Sequence, residues 1–295
     1  MALNLITPPT LDAVSLAEFK EQLRVDIGDT SQDNVLIGHL KAGQSFVEGF
    51  LNRKCMQQTW ALLIDFFPGY IDLKLAGARV SSPFVSGSNA VLVGIRYAIV
   101  LEFPPVQSIL NFEYQDANGN VTVMNPGTDY IIDIQSNPAR LTPPFGKMWP
   151  VARVVVNAVQ IQYTVGYAIP LVVSTQGSPP NLNKISAIVY SFIASDLGRP
   201  ISIEGAGVNS GTLNTIVTGV SSPPDSNASI ADAMTAPILN GNARLVNALY
   251  GNPNHWCLIK QAIMAHAEGR WRRVAKKIYE DEARGVCYQA RDIRF

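Results

Sequence analysis

Gly205-Ala-Gly207-Val-Asn-Ser210-Gly211 is the stretch of this sequence that comes nearest to a phosphate-binding loop. A dinucleotide loop needs GxGxxG between a strand and a helix start, where backbone amides and the helix dipole meet a pyrophosphate. Here the third position is Ser210, and Gly211 falls one residue late. The next residues, Thr212 to Thr218, are rich in β-branched types and predict a strand. No Gly-Lys-Ser/Thr follows to make a P-loop. The spacing predicts a turn between two strands.

The other residues that could do chemistry are equally incomplete. Asp116-Ala-Asn118-Gly-Asn120 opens like a calcium loop, but its sixth position is Val121 and its twelfth is Gly127. Asn118-Gly119 tolerates positive φ and predicts a β-hairpin instead. His39, His255 and His266 form no HExxH site. His255 and His266 return to one helix face, yet two ligands without a carboxylate are weak, so packed or exposed helix histidines are expected. Cys55, Cys257 and Cys287 are far apart, outside any CxxC pair, and read as reduced thiols. No GxSxG elbow occurs. The basic run Arg270, Arg272, Arg273, Lys276 and Lys277 surrounds Trp271. It could touch phosphates, but it lacks the basic–aromatic interleaving of a single-strand groove. A protein-binding or solvated helix face is the better reading. Neither an enzyme nor a metal or cofactor site is expected.

Those residues must be positioned by elements that the patterning locates. Ser15-Leu-Ala-Glu18 is a capping box, and Leu16, Phe19 and Leu23 continue at helical spacing towards Gly28. A second helix, from about Ser31 to Asn52, carries an apolar stripe through Val35, Leu36, His39, Leu40, Gly43, Phe46, Val47 and Phe50. From Gln57 the period becomes two. Strands are expected at 59–67, 71–75, 91–103, 111–115, 121–124, 129–134 and 159–165, with a Ser/Gly-rich loop at 77–89. Residues 170–254 are poor in charge and rich in Ser, Asn, Thr, Gly and Pro, which predicts a separate small β module. Asn254 is a plausible N-cap for a final helix through Trp256, Ile259, Ile263, Ala267 and Trp271 towards Ala283. Along it bases precede acids, against the helix dipole, so a partner surface would compensate.

The expected fold is α+β. It comprises an N-terminal helical pair, a central antiparallel β region, an inserted small β domain, a long C-terminal helix and an extended tail. Residues 1–167 and 252–295 would form the core, with 168–251 inserted. Within 295 residues, Lys+Arg and Asp+Glu both number 23, so no global field recruits nucleic acid or a membrane. The N-terminus reads as no signal peptide, and nothing approaches eighteen uninterrupted apolar residues. A soluble, reducing compartment is expected.

The order of segments carries a resemblance. Leu23-Arg24-Val25-Asp26, Gln58-Thr59-Trp60, Pro104-Pro105-Val106-Gln107-Ser108, Trp149-Pro150, Gly166-Tyr167 and Ile259-Lys260-Gln261-Ala262-Ile263 follow one another across residues 15–167 and 255–280. This resembles the head–tail connector (adaptor, or head-completion) proteins of tailed double-stranded DNA phages. Residues 76–100 and 168–254 are long where that family is short. The stretch from Ser191 to Val220 is itself similar to a small β repeat of phage virion and tail-fibre proteins.

The resemblance implies a structural virion protein made in the host cytoplasm and located at the capsid vertex, in the neck. It implies a homo-oligomeric ring, a dodecamer, beneath the portal, with the next neck or tail protein on its other face. DNA would pass through the lumen during ejection without sequence-specific binding. In the family the last helix and tail reach towards the portal. Carried over, the portal-binding candidates are Arg270, Trp271, Arg272, Arg273, Lys276, Lys277, Tyr288, Arg291, Arg294 and Phe295. A virion decoration or tail-fibre-attachment protein using the β module is the alternative, and a cell-wall hydrolase is a third class.

Overall fold

The computed structural model describes residues 1–68, 98–177, 179–220, 224–246, 253–272 and 284. The expected strand at 71–75, the loop at 77–89, most of the strand at 91–103 and the C-terminal tail lie outside the described residues. Within them the fold is α+β, and the chain divides into two compact units.

The first unit comprises Met1–Pro8 and Gln58–Val165. Strands β1 (Ala2–Thr7), β2 (Gln58–Ile64), β4 (Val106–Gln115), β5 (Val121–Val123) and β8 (Val159–Val165) form an antiparallel sheet in the order β1-β2-β8-β4-β5. Strands β3 (Ile99–Val100), β6 (Ile131–Asp133) and β7 (Arg140–Thr142) form a second sheet ordered β3-β7-β6. Alternation shapes the first five residues of β8: Val159, Ile161 and Tyr163 are buried while Gln160 and Gln162 are half-exposed. Between these strands lies an aromatic core. The Trp149 ring stacks on Phe67 with centroids 5.2 Å apart, and Phe112 meets Tyr130 at 5.1 Å.

The predicted hairpin joins β4 to β5, with Gln115 opposite Val121. Its Asp116 carboxylate accepts the backbone N–H groups of Asn118 at 2.8 Å and Asn120 at 2.9 Å. Those bonds, the one from Asn120 first, hold the carboxyl below its ordinary range. The oxygens that a calcium ion would need close the turn instead. Strand β1 had no counterpart in the sequence reading. Its pairing with β2 joins residues some sixty positions apart, Ala2 opposite Leu63 among them, which local patterning does not reveal.

The second unit comprises Pro9–Gln57 and Gly166–Phe295. Its helices are α1 (Leu16–Leu23), α2 (Asp33–Leu51) and α3 (Pro253–Trp271). The capping box at the start of α1 is present, with Glu18 N–H donating to Ser15 Oγ at 3.1 Å. Helix α1 stops at Leu23, short of Gly28. Arg24 turns left-handed and the Val25 N–H reaches back to Lys20 O at 2.9 Å, closing the helix end. Lys20 then fastens the link to α2. Its buried ammonium donates to Ile27 O and Asp29 O at 3.1 and 2.7 Å and pairs with Asp33 at 2.6 Å. Helices α2 and α3 meet at Gly43. A Cβ there would sit 2.6 Å from the Ile263 carbonyl oxygen, so only glycine permits this approach.

The remaining strands of this unit close into a barrel. They are β9 (Ala168–Gln176), β10 (Asn181–Ala187), β11 (Pro200–Ile203), β12 (Leu213–Val220), β13 (Asn227–Ile230) and β14 (Gly241–Val246). Their order is β10-β13-β12-β11-β14-β9, every neighbouring pair antiparallel. Leu171, Val173, Ile185, Phe192, Ile201, Ile203, Val217 and Leu245 fill the interior. Closure leaves no unpaired edge.

Candidate functional site

Helix α3 brings the first of the expected portal-binding residues to its C-terminal end. Arg270 and Arg272 are exposed, and Trp271 is half-buried against the helical core. The Trp271 ring meets His39 of α2 edge-on, with centroids 6.2 Å apart. Burial, and then the nearby Arg270 cation, depress the His39 pKa and favour neutral imidazole. Arg272 pairs with Glu268 one turn back at 2.6 Å. Trp271 thus anchors the helix end to α2, while Arg270 faces solvent. Arg273, Lys276, Lys277, Tyr288, Arg291, Arg294 and Phe295 lie outside the described residues.

The glycine loop occupies a different place. It links β11 to β12, as its spacing predicts, and folds on itself through Gly207 N–H to Gly211 O at 2.9 Å. Thr235 Oγ1 ties it down by donating to Gly207 O at 2.6 Å. Just beyond, Thr212 and Ser15 hydroxyls lie 2.7 Å apart, so the loop abuts the N-terminus of α1.

A polar seam, buried at Lys260 and Arg244, continues from that contact and was not foreseen. Lys260 of α3 donates to Glu18 Oε1 at 2.7 Å and to Asn214 Oδ1 at 3.0 Å. Asn214 in turn donates to Glu18 Oε1 at 3.1 Å. Nearby, buried Arg244 pairs with Glu204 at 2.7 Å and donates to Asp12 O at 2.5 Å. Each group in the Glu18 triad is satisfied by protein partners, so the seam fastens β12 to α1 and α3, and β14 to the segment before α1, instead of presenting a reactive carboxylate.

Burial alone would raise the Glu18 pKa, but the Lys260 charge and the hydrogen bonds outweigh it, and the pKa lies below the ordinary 4.5. A depressed carboxyl pKa adds stability that is fully present above the unfolded value and lost as pH falls through the folded one. The wild-type chain is therefore expected to lose stability below about pH 4.5 more steeply than Glu18→Gln. Thermal melts of both proteins across pH 3 to 7 check this, and parallel profiles would reject it.

The other candidates bring no chemistry together. His266 is buried and stacked on Phe46, with centroids 4.3 Å apart. No group of three His, Cys, Asp or Glu able to hold a metal occurs among the described residues. No described helix is long and apolar enough to cross a membrane. In the first unit, Met1, Leu62, Ile64, Phe66 and Ile99 line an apolar cleft. Its Asp65 already accepts the Asn157 N–H at 2.8 Å.

No family model matches the sequence, and no curated protein matches it. Among solved structures, the chain is similar to one from the virion of a native gene transfer agent particle. Identity is 19%, the TM-score is 0.40, and the match covers 57% of this chain and 72% of that one. A chain from the neck of an empty gene transfer agent particle, computed with C6 symmetry, matches at 20% identity and TM-score 0.39, with coverage of 57% and 72%. One from the native particle's neck, computed with C12 symmetry, matches at 20% identity and TM-score 0.35, with coverage of 57% and 70%.

Proposed function

We propose that this protein is a non-enzymatic structural part of a phage-like neck, forming a closed ring beneath the portal and extending the DNA channel. Residues 1–167 and 252–295 form the connector body in this reading, and 168–251 an inserted module. The motif order in the sequence supports it, because the resembling segments fall on the joints of the fold. Gln58-Thr59-Trp60 opens β2, Pro104-Pro105 leads into β4, and Trp149 fills the aromatic core.

One observation carries the ring. Among the described residues, the sheet β1-β2-β8-β4-β5 ends in two unlike edges, six residues of β1 and three of β5. A head-to-tail ring needs two different complementary patches on each subunit, and unpaired strand edges supply them. The dodecamer, the portal, the next tail protein and the role of the tail from Arg273 to Phe295 belong to the same proposal.

Negative-stain microscopy of the full chain, alone and mixed with portal, tests it. A closed annulus is expected. Asn4→Lys with Ile6→Lys should blunt the β1 edge and prevent closure. Deleting residues 284–295 should weaken portal docking without breaking the ring. A persistent monomer in every mixture would overturn the ring, and unaltered docking of the truncated chain would overturn the tail's role.

A further inference from the structure

We infer that neighbouring copies join through a parallel strand pair, the β5 edge of one on the β1 edge of the next, in a sheet otherwise antiparallel throughout. The inference rests on the ring reading and adds the direction of the two strands and the side chains that meet.

The registers of the sheet fix that direction. Ala2 lies opposite Leu63, Leu63 opposite Gln160, Gln160 opposite Glu113 and Glu113 opposite Val123, one row across all five strands. Asn4, two residues further along β1, heads the next row on that face, through Ala61, Gln162 and Asn111. Every pairing in the sheet is antiparallel, so four reversals leave β1 and β5 running the same way. Directly opposite residues share a face, as do residues two apart on one strand. Ala2 and Asn4 therefore stand on the same face as Val121 and Val123.

Both edges are open among the described residues. Strand β1 reads ALNLIT and β5 reads VTV, with no charge and no proline to turn an incoming strand away. Val121 and Val123 are 61% and 56% exposed, and Ala2, Asn4 and Leu5 are exposed as well. What completes such an edge is another strand, whose N–H and C=O groups answer its own. The register shifts between Leu5 and Thr7, which confines regular pairing on β1 to Ala2–Leu5. Four residues there face three on β5, so the two edges are of like length.

Direction decides the occupant. A two-fold contact joins like edges, β1 on β1 or β5 on β5, and leaves the other edge of each copy open. A rotation that continues the sheet from one subunit into the next preserves strand direction. It sets β5 parallel to β1 and covers both edges with a single kind of contact. A second copy of this chain is thus the partner that answers both edges at once.

Disulfide trapping in the full chain tests this, in a Cys257→Ser/Cys287→Ser background that keeps the buried Cys55. Ala2→Cys or Asn4→Cys is combined with Val121→Cys or Val123→Cys, and each is also made alone. All of these positions are exposed, and far-UV circular dichroism checks the fold of every variant. A disulfide needs Cα atoms within about 7 Å, so the links report register. A β1–β5 combination should give a covalent ladder beyond the dimer, and every single variant should give none. Ala2 linking to Val121 and Asn4 to Val123 belong to one parallel register. Ala2 linking to Val123 and Asn4 to Val121 occur together only in an antiparallel one, which overturns the proposal. A dominant dimer from any single variant overturns it too, by revealing a two-fold contact. Closed annuli that form no β1–β5 link sink this joint and leave the ring reading intact. Ladders without closed annuli do the reverse, and a chain monomeric throughout overturns both.

Discussion

Replacing Gly166 with alanine is expected to lower the thermal midpoint of the full chain by about 10 °C or more. The position fails on two counts. Its φ of +128° lies outside the range open to L side chains. A Cβ there would meet Met56 O at 2.4 Å, Met56 C at 2.5 Å and Gln57 N at 2.7 Å. All three are backbone atoms and cannot rotate aside as a side chain could. The two passages of chain are also bonded together, through Tyr167 N–H to Cys55 O at 3.0 Å and Gln57 N–H to Ala168 O at 2.8 Å. Backbone strain and overpacking each cost about 1–3 kcal/mol, so together they reach roughly 4 kcal/mol. That is a large share of a typical domain's stability. A Gly166→Ala protein that melts within 2–3 °C of wild type would refute the account.

Asp196→Ala should be as damaging, for an electrostatic reason. Truncation leaves the Arg199 guanidinium buried without its carboxylate, a defect that costs about 3–5 kcal/mol. It also strips an acceptor from Tyr190 and from the Ile193 amide. The cause is distinguishable from simple loss of packing. Removing both charges, as Asp196→Leu with Arg199→Met, should recover most of the lost stability, because no uncompensated ion remains. Urea unfolding of the two single variants and the double variant gives the coupling. Strictly additive losses would show that the ion pair is not the source.

These two positions show what the sequence discloses and what it withholds. Ser15 and Glu18 announce a capping box because both partners sit three residues apart on one helix turn. Asn118-Gly119 announces a hairpin for the same local reason. The second task of Glu18, pairing with Lys260, spans 242 residues and leaves no local mark. Asp196 and Arg199 are near neighbours, yet nothing in their spacing tells that both turn inwards. The short β-branched runs of residues 168–246 predict strands but not closure into a barrel, which depends on β9 finding β14 some seventy residues later. Among the candidate docking residues, Trp271 continues the series Trp256, Ile259, Ile263 and Ala267 along the final helix, and the structure sets it against His39 and the helical core.

The pairing of β9 with β14 also bears on how this chain can change. Ala168 lies opposite Val246, so the polypeptide comes into the barrel and leaves it on adjacent strands, about 5 Å apart. A two-residue hairpin turn bridges the same gap. The chain enters and leaves the barrel side by side, and the strands between are held to the helical segments by Arg244 on Asp12 O and by Lys260 on Asn214. A change within β12 or β14 is therefore felt at Glu18, Lys260 and Asp12, so the barrel and the helices of this unit must vary together.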